Sequence, residues 1–362
     1  MLKQQKIFFE FLRFCIGSAK EIPGSLKEVD WKELYAIAQK QCLVGVLFDG
    51  IKKLPAEHVG MKKELLLQWM AESQMLEKVN VRLNDAAIQV SEWFRKKGFR
   101  TCILKGQGNA LMYPNPYSRT PGDIDIWVEG GDKRVISFVR SISPHEKACY
   151  HHIEFPSYKG VEVEVHYRPS FLLYFGHNRR LQKYYGMVKD EQFSHRVMLG
   201  EQGEIAIPTV EFNLIFQLTH IFSHLMNEGI GLRQLLDYYY VISMLSVNCE
   251  MLTSLQKELK ELGLWKFAGG IMYIMQEVFG MPASQLIIPP NEKYGKFVLN
   301  EVLEAGNFGK HDERNRFGGS QLGHNLQRVY RDMRLVKFFP AEALCEPLFR
   351  TWHFFWRLKY KK

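Results

Sequence analysis

The chain of 362 residues contains no run of roughly 18 apolar residues, so no segment reads as a membrane-spanning helix. Its six cysteines (Cys15, Cys42, Cys102, Cys149, Cys249, Cys345) are scattered. None forms a CxxC pair, and no His/Cys cluster has the spacing of a zinc site. The opening MLKQQKIFFEFLRFC carries charge inside its apolar stretch and does not read as a signal peptide. No internal repeat or low-complexity tract occurs, and the lack of an HExxH motif argues against a zinc protease. These absences predict a cytoplasmic protein with reduced thiols.

Hydrophobic residues make up 46% and charged residues 24%, an ordinary globular balance with ample material for a core. Net charge is +9. Much of it sits in residues 324–362, where nine Lys/Arg face three acids. The closing FRTWHFFWRLKYKK interleaves aromatic and basic residues. Contact with nucleic acid, an anionic or membrane surface, and a plain core helix with a basic outer side are all open for it.

Helical periodicity covers the first hundred residues: 3–18, 29–53 and 60–97, with Gly98 as the stop. Then the pattern changes. Residues 100–104 (RTCIL) and 123–128 (DIDIWV) fit strands, with a helical turn at 107–113 and a loop at PNPYSRTPG between them. A helix at 132–142 follows, then strands at 149–155 and 161–167 joined by a turn at 157–160. Short strands near 196–199 and 204–207 are expected to extend the sheet. From Pro208 the chain is helical again, interrupted by a Gly-rich charged loop at 306–323.

Alternation in a strand puts residues i and i+2 on one face. In DIDIWV it groups Asp123 with Asp125, and Ile124 with Ile126. In VEVEVHY it groups Glu162, Glu164 and His166 opposite three valines. If the two strands pair, several carboxylates meet and repel, a cost that a divalent cation relieves. An oxygen-only ligand set suits Mg²⁺ or Mn²⁺. Upstream, the turn glycines Gly106 and Gly108 allow close approach of a phosphate, and Lys105 and Arg119 supply positive charge for it.

The stretches LKGQGNALMYPNPYSRTPGDIDIWV, VEVEVHYRP and LTHIFSH…GIGLRQLLDYYYV together resemble the DNA polymerase β-type nucleotidyltransferase superfamily. Within it they look like the bacterial family of uncharacterised nucleotidyltransferases. The resemblance implies an α+β fold. A small mixed-sheet core at about 98–208 would be flanked by helical regions at 1–97 and 209–305, with a Gly-rich loop and basic aromatic helix at 306–362. It also implies that Asp123 and Asp125 are metal ligands and Glu164 the third acid, with Mg²⁺ or Mn²⁺ as cofactor. Lys105, Gly106, Gln107 and Arg119 would bind the nucleotide, although position 107 holds Gln where the superfamily usually has Ser or Gly. The implied reaction moves a nucleoside monophosphate from an NTP, ATP by default, to a hydroxyl acceptor.

Two alternatives accompany that reading. One is a catalytically degenerate relative that binds a nucleotide or a partner. The other is a DxD glycosyltransferase, against which the long helical stretch before the sheet argues. His220 and His224 share a helix face, which fits either packing or a contact near the site. Arg233 and Asp237 have the i, i+4 spacing of an ion pair. His151 and His152 receive no role.

Overall fold

A computed structural model describes residues 3–201, 203–246, 249–310, 312, 314 and 321–360. In chain order the elements are α1 (Lys3–Ile16), α2 (Trp31–Lys40), α3 (Val44–Ile51), α4 (Lys63–Lys96), β1 (Thr101–Ile103), α5 (Gln107–Ala110), β2 (Ile124–Val128), α6 (Gly131–Ile142), β3 (His152–Tyr158) and β4 (Val161–His166). They continue with α7 (Phe175–Ser194), β5 (Arg196–Met198), β6 (Glu204–Ala206), α8 (Val210–Asn227), α9 (Leu232–Ser243), α10 (Cys249–Glu261), α11 (Trp265–Glu277), α12 (Glu292–Ala305), α13 (Gln321–Leu335) and α14 (Pro340–Leu358).

The four-stranded sheet has the order β1-β2-β4-β3. The central pair β2/β4 is parallel and both outer pairs are antiparallel. Its two faces join two different hydrophobic clusters. Ile103, Ile124, Ile126, Val128, Val161, Val163 and Val165 pack with the second half of α4 (Leu83, Val90, Phe94) and with α6 (Val135, Val139). The opposite face sends Cys102, Leu104 and Trp127 into a larger cluster that runs from Ile7 to Phe349. That cluster takes in α1, α3 and α7–α12. The alternation of β1 and β2 thus splits these strands between two cores, while β4 turns its valines to one core and its acids and His166 the other way. The fold is mixed α+β, with helices flanking a small sheet.

Four features differ from the sequence expectation. The segment 29–53 is two helices, α2 and α3, because Cys42 adopts a left-handed φ of 55° between them. Strands β5 and β6 pair only with each other and do not extend the sheet. Helix α7 was not anticipated: its buried positions Asn178, Leu181, Tyr185, Gln192 and Phe193 include two polar residues, which blurs the apolar stripe. The loop expected at 306–323 lies partly outside the described residues; 306–310 make a tight turn and 321–323 already belong to α13.

Candidate active site

The parallel register of β2 and β4 sets the site. Asp125 stands opposite Glu164, and Trp127 opposite His166. Asp123 is the residue before β2 and returns to the same face. Asp123, Asp125 and Glu164 each offer a carboxylate oxygen, and these atoms lie within 4.8 Å of one another. Two cations share this cluster. Lys105 Nζ donates to Asp125 Oδ2 at 2.9 Å and to His220 Nε2 at 3.1 Å. His166 Nε2 donates to Asp125 Oδ1 at 3.0 Å and lies 3.4 Å from Glu164 Oε2. Its Nδ1 donates to the Arg168 carbonyl at 3.3 Å.

These contacts decide the protonation states. Burial works against an imidazolium at His166, but the hydrogen bonds to Asp125 and Glu164 outweigh it and raise the pKa to about 9. Burial likewise opposes the Lys105 ammonium, and the charges of Asp125 and Asp123 more than offset it. Asp125 is held well below the usual carboxylate range: burial alone would raise it, and Lys105 and His166 overcome that. Asp123 moves the other way, pushed up first by the charge of Asp125 and then by burial. The cluster is therefore only partly neutralised, and the deficit sits at Asp123.

The carboxylates form one wall of a cavity of about 650 Å³. His151, His152, His220 and His224 also line it. His151 and His152 are neutral: burial comes first and neighbouring imidazoles second, with His152 at about 4. His220 is depressed by burial and by Lys105, which leaves its Nε2 free to accept from the ammonium. The far wall comes from the C-terminal helices. It includes Arg328, Arg331 and Asp332 of α13 and Glu346 and Arg350 of α14. The basic C-terminal run thus faces the same cavity as the carboxylates.

Not every sequence candidate converges here. Gly106 does, lining a small recess beside Asp123 with φ 57°. Gln107 turns away: its Nε2 donates to the Asn80 carbonyl at 3.3 Å and to the Asn84 side chain, both on α4, and only 3% of the residue is exposed. Arg119 lines the same recess as Gly106, with its guanidinium held by Asp237. Its Nε and Nη2 each donate to one carboxylate oxygen of Asp237 at 2.8 Å, and Tyr113 Oη adds a third bond at 2.7 Å. The helical spacing pointed to Arg233 as the partner of Asp237. The structure corrects this: Asp237 pairs with Arg119, and Arg233 Nη1 donates to the Thr120 carbonyl at 3.2 Å.

The sequence profile of one known family, described as uncharacterised nucleotidyltransferase, matches residues 27–280. The chain belongs to that family. The match covers the sheet, the three carboxylates and the helices through α11, and it ends before α12. Among solved structures, the chain is similar to an antigenic nucleotidyltransferase-like protein from Paracoccidioides brasiliensis. Identity is 16%, the overlap covers 52% of this chain and 88% of that one, and the TM-score is 0.29. No curated protein matches. Among the described residues, no helix is long and apolar enough to cross a membrane.

Proposed function

We propose that this member of the nucleotidyltransferase family is a metal-dependent enzyme that moves a nucleoside monophosphate from an NTP to a hydroxyl acceptor. The single observation that carries the reading is the meeting of Asp123, Asp125 and Glu164 at the wall of one cavity. The donor set fits a hard cation. All three ligands are carboxylates, and the raised Asp123 marks like-charge repulsion that an added cation removes. Mg²⁺ or Mn²⁺ held there supplies positive charge against the triphosphate and polarises the reacting oxygens.

The chain's own groups have separate tasks. His166 ties Asp125 and Glu164 together and fixes their orientation. Lys105 carries a half-buried ammonium beside the carboxylates, close to where phosphate charge would collect. Glu164, with 33% of its side chain exposed, is open to an acceptor and takes the hydroxyl proton. The acceptor oxygen bonds to the α-phosphorus, the bond from that phosphorus to the β-bridging oxygen breaks, and pyrophosphate leaves. Arg328, Arg331 and Arg350 on the same cavity support contact with anionic parts of the substrates rather than a separate nucleic-acid surface. ATP is the donor to try first.

The test uses each NTP labelled at the α-phosphate, with Mg²⁺ or Mn²⁺ and a deproteinised cell extract as acceptor source. Label transfer with pyrophosphate release from the wild type, absent from Asp125→Asn, is expected. Transfer retained in Asp125→Asn would sink the assignment. A second reading, a relative that binds without turnover, draws on Gln107, which faces α4 rather than a phosphate. Metal–NTP binding with no pyrophosphate release would favour it.

A further inference from the structure

Beside the carboxylates lies a group of softer donors. Cys149, His151 and His152 are all half-buried and line the cavity. Each offers one ligand atom, and the three atoms lie within 4.8 Å of one another. Cys149 Sγ is 3.5 Å from His151 Nδ1, and His151 Nε2 is 3.1 Å from His152 Nδ1. These two contacts use different nitrogens of the His151 ring, and one ion takes only one of them; with zinc bonds of about 2.3 Å to sulfur and about 2.0–2.1 Å to nitrogen a tetrahedral edge is roughly 3.4–3.6 Å, so side-chain rotation has to bring one donor from each residue from within 4.8 Å to that spacing.

The backbone holds the group in place. Consecutive strand residues point to opposite faces, yet His151 and His152 both reach the cavity, because His151 precedes β3 and its path is fixed by other bonds. The His151 carbonyl accepts from Tyr167 N at 3.0 Å and Arg168 N at 3.2 Å. Cys149 N donates to the His152 carbonyl at 2.9 Å. The imidazoles of His151, His152 and His166 crowd together, with ring centroids 4.4 to 5.3 Å apart. Glu164 Oε2, 3.3 Å from His152 Nδ1, puts negative charge next to the group.

We propose that Cys149, His151 and His152 form a second cation site, which takes a borderline divalent ion such as Zn²⁺ in preference to Mg²⁺. Sulfur and imidazole ligands select such ions, whereas the neighbouring all-carboxylate set selects hard ones. On binding, the Cys149 thiol gives up its proton and becomes a thiolate ligand. An ion there locks His152 beside Glu164. The site stands on its own donors and does not depend on the transfer reaction.

The experiment titrates the metal-free full chain with Co²⁺, a spectroscopic stand-in for Zn²⁺. Thiolate-to-cobalt charge-transfer absorption that saturates at one equivalent is expected, and Zn²⁺ but not excess Mg²⁺ should abolish it. Cys149→Ser should lose the band, and His151→Gln should weaken Co²⁺ binding by at least about tenfold. Asp123→Asn, which alters the carboxylate set, should leave the band intact. No charge-transfer band in the wild type, a band that survives Cys149→Ser, or one that Mg²⁺ removes would each overturn the proposal. If Cys149→Ser does not fold, the wild-type titration and His151→Gln still decide.

Discussion

At the residue scale, the buried charges divide into two sets with opposite behaviour. Arg119 holds both carboxylate oxygens of Asp237, so removing its guanidinium leaves a buried carboxylate with Tyr113 as the remaining hydrogen-bond donor. Arg119→Met should cost about 3–5 kcal/mol in urea unfolding. The double variant Arg119→Met/Asp237→Leu should recover most of that loss; a double variant as unstable as the single would contradict the pairing. The Asp123 carboxylate is instead under strain from Asp125. Asp123→Asn should therefore leave the metal-free melting temperature unchanged or raise it, while the response to metal and NTP disappears. A lower metal-free melting temperature would show that Asp123 has a structural partner after all. The Asp-x-Asp of DIDIWV was legible because period-two alternation needs only neighbouring residues. Its cationic partners were not legible as such: Lys105 stood out beside its glycine turn as a phosphate contact, whereas its bonds to Asp125 and, 115 positions on, to His220 arise only from packing. The pairing of Arg119 with Asp237 was hidden for the same reason, since the two lie 118 residues apart.

At the element scale, the site depends on how helices press against the loop that leads into β2. Gly45 of α3 lies so close to the turn at Pro116–Ser118 that an added Cβ would meet the Ser118 carbonyl oxygen at 2.3 Å. Gly45→Ala should therefore destabilise the fold by about 1–3 kcal/mol, read from chemical denaturation. A neutral substitution would mean that α3 does not brace this loop. Strands β2 and β4 were visible in the sequence through β-branched residues on one face and acids on the other. Helix α7 was hidden by its mixed buried face, and β5/β6 were found as strands but given the wrong neighbours, because pairing partners are set by tertiary contacts. Asp332 of α13 supplies a pH signature for the cavity's far wall. Burial, and then Glu346, raises its pKa to about 6. The neutral acid is the form that the fold favours, so its contribution to stability is complete below an ordinary aspartate pKa of about 4 and is lost as pH rises through about 6. Asp332→Asn should flatten stability between those pH values, and an unchanged slope would remove Asp332 as its source.

At the scale of the whole molecule, the C-terminal helices are a wall of the protein rather than an appended tail. Phe339 is buried among Phe222, Phe267 and Tyr294, and Phe338 stacks on Phe297 at 3.8 Å. Glu342 of α14 accepts from Leu173 N at 2.6 Å and Tyr174 N at 2.9 Å, which ties the segment just before α7 to α14. Truncation after Gly306 should lower the melting temperature and expose apolar surface to a hydrophobic dye; an unaltered melt would return the segment to the status of a dispensable arm. The basic composition of 324–362 was plain in the sequence, but its direction was not, because charge counts carry no information about which cavity a helix faces. If Asp123, Asp125 and Glu164 form a metal–nucleotide site, loss of one carboxylate removes that binding. The measurement that tests it most directly is the melting temperature of wild type, Asp123→Asn and Asp125→Asn with Mg²⁺ or Mn²⁺ plus each NTP. A ligand at about 100 times its Kd adds about 2.7 kcal/mol to the state it binds. A shift of a few degrees is expected in the wild type alone, larger for one NTP than for the others. No shift with any metal–NTP pair, or equal shifts in all three proteins, would contradict it.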